Sequence, residues 1–70
     1  MIVSYLTQAA LEASVALGNL GYLNAIMGDR SLARQQLEDA IIGDPGLMEP
    51  WVNLGNLIKD EKVHTHTHTL

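Results

Sequence analysis

Leu17-Gly18-Asn19-Leu20-Gly21 and Trp51-Val52-Asn53-Leu54-Gly55 stand 34 residues apart in this 70-residue chain and share the ending Asn-Leu-Gly. At the same offset Leu17 falls on Trp51 and Leu23 on Leu57. Between the two stretches lie Ala33-x3-Leu37-x2-Ala40 and then Pro45, each at a set distance from the glycine. Self-similarity at such a period marks a supersecondary unit that is repeated, and it decides the fold class before any single residue does.

Working outward, three helical segments account for the chain. The first is expected from about Ser4 to Met27, with Leu6, Ala10, Ala13, Leu17, Leu20 and Met27 on one inward face by their spacing of three and four. Gly28 supplies a stop, and Asp29 or Ser31 a start for the next helix. The second helix is expected from about Leu32 to Ile42, with Leu37, Ala40 and Ile41 inward and Arg34, Gln35, Glu38 and Asp39 outward. Gly43-Asp44-Pro45-Gly46 breaks it, because proline lacks an amide donor and disfavours a helical residue before it. The third helix is expected from about Met48 to Glu61, with Pro50 tolerated in its first turn. No alternating β-branched run of useful length is present, so the expected class is all-α.

With Leu17-x2-Leu20-Gly21 echoed by Trp51-x2-Leu54-Gly55, alanines at 33 and 40 around Leu37, and proline at 45, the chain resembles the tetratricopeptide repeat family. That resemblance implies an antiparallel helix–turn–helix repeat. One full unit would span about residues 14–47 and the first helix of a second about 48–61, within one helical domain at 1–62. Gly21, Ala33 and Ala40 would be small where two helices approach closely, with Leu17, Leu20 and Leu37 filling the space around them. Trp51, Leu54 and Gly55 would repeat the first-helix motif, which implies a core position for the indole. Two places depart from the family pattern: the expected tyrosine is Asn24 in the first unit and Ile58 in the second. Residues before Ser14 read as a backward extension of the first helix, which makes it long. About one and a half units is fewer than the three or so that stacked repeats normally need, so a partner is expected to complete the fold.

In that family, first-helix side chains line a groove that holds a peptide or a helix. Carried onto this chain, the implied groove positions are Val15, Gly18, Tyr22, Ala25 and Ile26 from the first unit. Glu49, Val52, Asn56 and Lys59 follow from the second. Tyr22 and Asn56 occupy matching places, and a tyrosine offers a rigid apolar ring with a polar tip. The function implied is non-catalytic: a small subunit or adaptor that binds another protein or its own copies through helical faces.

Composition excludes several other classes. Four cationic residues against eight acidic ones, net −4, leave no basic patch for a phosphate backbone, which argues against nucleic acid. With no cysteine there is no disulfide and no thiolate chemistry. Phosphate-binding, dinucleotide-binding and zinc-protease motifs are missing, and Glu38-Asp39 and Asp60-Glu61 diverge by ~100° on a helix and cannot share a proton. No nucleophile, base and orienting group can be assembled, so no enzyme, cofactor or small-molecule substrate is expected.

Two alternatives remain at the ends of the chain. Val63 to Leu70 carries His64, His66 and His68 alternating with threonine, and is expected to be an exposed, flexible tail. Neutral imidazoles two apart in an extended segment share a face and bind zinc, nickel or copper, which makes a metal-binding tail the second hypothesis. The stretch Met1 to Gly28 has Glu12 as its single charged side chain, which raises a membrane-associated subunit as a third. Gln8, Glu12, Asn19 and Asn24 interrupt that stretch too often for a spanning helix, and nothing basic precedes Arg30 as a secretory signal requires. The setting expected is therefore cytoplasmic.

Overall fold

Met27, Gly28 and Asp29 close the first helix and open the second by one hydrogen-bonded device. The computed structural model describes the backbone of residues 2–69 and the side chains of residues 7–60. Helix α1 covers Ile2–Ile26, α2 covers Arg30–Gly43 and α3 covers Met48–Thr69. Gly28 sits at φ 93°, the left-handed region that only glycine occupies at no steric cost. There the Gly28 amide donates to the Ala25 carbonyl at 3.2 Å and the Asp29 amide to Asn24 at 2.9 Å, a Schellman arrangement that satisfies carbonyls the helix end leaves open. Asp29 also caps α2, its carboxylate accepting from the Leu32 amide at 3.3 Å. Beyond α2, Asp44 holds the turn by accepting from the Gly46 amide at 3.2 Å, and Leu47 donates to the Asp44 carbonyl at 3.2 Å.

The chain is all-α, and among the described residues there is no strand. The α1–α2 pair carries most of the packing, with α3 laid against it. Ala33, Leu37, Ala40 and Leu57 are buried, and Ala25 and Leu54 pack against the cluster of Ala33, Leu37 and Leu57.

The face that α1 buries differs from the expected one. Ser14, Gly18 and Gly21 are buried and Ala25 is half-buried, a stripe of small residues at spacings of four, three and four. Leu17 is half-buried, while Ala10, Ala13, Leu20 and Met27 are exposed. Small residues win because they let the two backbones approach. A Cβ built on Gly21 would stand 2.8 Å from Leu37 Cγ and 3.2 Å from the Ala33 carbonyl oxygen. One built on Gly43 would collide with Ser14 Oγ. The stripe thus excludes the large apolar residues from the contact, and Leu20 does not fill the space around it. On α2, Ile41 is half-buried and not fully inward.

On α3, Pro50 and Leu57 are buried, and Pro50 covers Gly18. Trp51, expected in the core, is 51% exposed. Its indole Nε1 donates to the Pro45 carbonyl at 2.9 Å, so it pins the α2–α3 turn. Gly55, the 34-residue counterpart of Gly21, faces open space: a Cβ there would meet nothing within 4 Å. The physical reason is the same in both cases: among the described residues, no helix lies on that side of α3 as α2 lies on α1. The bounds of α3 run past Glu61, where the third helix is expected to end. The tail expected to be flexible at 63–70 falls within α3 as far as Thr69, and its side chains lie outside the described residues.

Candidate partner-binding groove

Tyr22 on α1 and Asn53 on α3 stand on opposite walls of a groove between the two helices, and both line each of its two adjoining clefts. One cleft, about 220 Å³, is walled on the α1 side by Tyr22, Ala25 and Ile26 and on the α3 side by Asn53, Asn56 and Leu57. Arg30 and Asp60 stand at its rim. The second, about 510 Å³, lies between Asn19 and Tyr22 on one wall and Met48, Glu49, Val52 and Asn53 on the other. Tyr22 is 50% exposed, so its ring lines both clefts without being locked into the core.

Helical spacing explains why these side chains meet. Asn19, Tyr22 and Ile26 recur at three and four along α1, next to the small stripe that packs on α2. Glu49, Val52, Asn53, Asn56 and Asp60 do the same along α3, next to its buried Pro50 and Leu57. Each helix therefore gives one edge to packing and the adjacent edge to the groove.

The groove positions implied by the family resemblance fall unevenly. Tyr22, Ala25, Ile26 and Asn56 line the first cleft, and Glu49 and Val52 the second. Val15, Gly18 and Glu49 border a small hollow of about 20 Å³ with Leu47 and Pro50, where Gly18 is buried and presents no surface to a partner. Lys59 is exposed and lines neither cleft. Asn19 and Asn53 were not among the expected positions, yet both belong to the Asn-Leu-Gly echo. An echo that preserves a polar residue beside the packing glycine was the available signal.

Chemically the groove is apolar in its middle and amide-lined at its sides. Each asparagine amide offers two donors and an acceptor, the complement of a peptide backbone. Glu49 gives one end a negative charge, and Arg30 with Asp60 gives the other a mixed pair. Among the described residues, no group of three His, Cys, Asp or Glu side chains is placed to hold a metal ion. His64, His66 and His68 lie outside the described residues. No helix, searched over the described residues, is long and apolar enough to cross a membrane.

Asn24, one of the two departures from the tetratricopeptide pattern, has a structural task. Its Nδ2 donates to Gln36 Oε1 at 2.7 Å, a half-buried link between α1 and α2. Comparison of the chain with family models, with curated proteins and with solved structures finds no match.

Proposed function

We propose that this chain is a non-catalytic interaction module of the tetratricopeptide type that holds a segment of a partner protein in the groove between α1 and α3. The observation that carries the reading is Tyr22, a half-exposed aromatic ring shared by two clefts and flanked by asparagines on both walls. Rigid aromatic anchors in a partly apolar groove are where binding energy concentrates, and adjacent amides give register to a bound backbone. The 34-residue echo and the antiparallel α1–α2 pair support the family assignment. A cytoplasmic adaptor or small assembly subunit is part of the same proposal.

Peptides selected for binding to the full chain test it. Tyr22→Ala combined with Val52→Asp should weaken the selected peptides ~10-fold or more while far-UV circular dichroism stays unchanged. Ile42→Ala, an exposed change on α2 outside both clefts, should leave affinity intact. Peptides that bind the double groove variant as tightly as the parent would refute the groove.

A further inference from the structure

Asn19, Glu49 and Asn53 line the larger of the two clefts, about 510 Å³. Among the described residues, their side chains take part in no ion pair or hydrogen bond. Asn24, which lines neither cleft, is by contrast bonded to Gln36. Tyr22, Met48 and Val52 complete the lining and are 50%, 74% and 52% exposed. The cleft thus joins three apolar surfaces, one of them aromatic, to a carboxylate and two amides. None of the described cations, Arg30, Arg34 and Lys59, lines it.

We infer that this cleft takes the side chain of a lysine or arginine from the partner segment. The inference rests on the groove reading above and adds the chemistry of what the groove holds. Charge complementarity selects that occupant. A cation brought to Glu49 gains a charge-assisted hydrogen bond, and the amide oxygens of Asn19 and Asn53 can accept from its other protons. Its methylene stem covers the apolar surface of Met48 and Val52 while the head stays at the polar side. The ring face of Tyr22 attracts the same cation. An acidic side chain would be repelled by Glu49. An apolar one would strip water from that carboxylate and offer no partner in return.

The adjoining cleft differs in the way this requires. It shares Tyr22 and Asn53, but its walls include Ala25, Ile26 and Leu57, and Arg30 stands at its rim. A second cation there would meet a like charge, whereas an apolar side chain finds apolar walls. A ligand that fills both clefts therefore sets a basic group beside an apolar one on a common backbone, as a peptide does. The net charge of −4 steers such a basic segment towards the chain.

A random peptide library selected on the full chain tests the inference. Bound peptides should share one lysine or arginine at a fixed distance from an apolar residue. Glu49→Gln should weaken them about 10-fold, and added salt should weaken the parent complex more than the variant complex. Asp39→Asn, exposed on α2 outside both clefts, changes the net charge equally and should leave affinity intact. Selection on the Glu49→Lys chain should replace the basic residue by aspartate or glutamate. Peptides that depend on the Tyr22→Ala/Val52→Asp pair yet carry no basic residue would overturn this inference and leave the groove standing. So would groove-dependent peptides that bind Glu49→Gln as tightly as the parent, or that lose as much affinity to Asp39→Asn. Peptides indifferent to the groove pair would overturn both readings.

Discussion

Leu37, the largest fully buried side chain, lies so close over Gly21 that a methyl added to the glycine would stand 2.8 Å from Leu37 Cγ and 3.0 Å from its Cδ2. The Ala33 carbonyl closes the same space from the backbone side, so the leucine has little room to retreat. Gly21→Ala should therefore destabilise by ~1–3 kcal/mol, the usual range for overpacking. Gly55 follows the same Asn-Leu pair and has no such lid. Gly55→Ala should stabilise by about 0.5–1 kcal/mol through the entropy that a helical glycine loses. Urea midpoints of both variants, taken at one protein concentration, check the pair. Effects of the same sign would contradict the packing.

Asn24 and Gln36 form the polar cross-link between α1 and α2 at 2.7 Å. Either truncation, Asn24→Ala or Gln36→Ala, should cost about 0.5–1.5 kcal/mol. The double variant should cost less than their sum, because the second change removes a bond already lost. A double-mutant cycle measures this coupling directly. Strict additivity would mean that the two amides do not act together.

Trp51 is half exposed and hydrogen-bonded to the Pro45 carbonyl. A core tryptophan would cost ~3–5 kcal/mol on truncation to alanine. Here the loss should be nearer ~1–2 kcal/mol, partial burial plus one hydrogen bond. The single tryptophan also reports its own surroundings. Its emission should be that of a solvent-contacting indole in the native state, with only a small red shift on unfolding.

The α1–α2 turn depends on one backbone conformation and one carboxylate. Gly28→Ala should lose ~1–2 kcal/mol, because a side chain at φ 93° meets the preceding carbonyl. Asp29→Ala should lose ~1 kcal/mol as an N-cap, and Asp29→Asn much less, since its side chain can accept the same bond. Thermal melts of the three variants give the ranking. An Asn substitution as damaging as alanine would assign Asp29 some task beyond capping.

Part of the groove was legible before the fold. Tyr22, Ile26, Val52 and Asn56 follow from placing the family's first-helix positions on this chain, and they line the clefts. Gly18 and Lys59 do not, since Pro50 covers one and the other lies outside the cleft walls. Arg30 and Asp60 were not legible, because a polar residue on an exposed helix edge has the same appearance in sequence wherever that edge faces.

Helix number, order and turns were written locally. Gly28 with Asp29, and Asp44 with Pro45, act within a few residues of themselves, so their consequences can be read one turn at a time. Which edge of α1 would be buried could not be read that way. Leucines at 20 and 23 outweigh glycines at 18 and 21 in any count of hydrophobicity, yet the glycines face α2 and the leucines face out. Close approach of two backbones, with Leu37 seated on Gly21, depends on the partner helix being present. The same partner separates Gly21 from Gly55: both end an Asn-Leu-Gly triplet, with a helix above one and open space above the other.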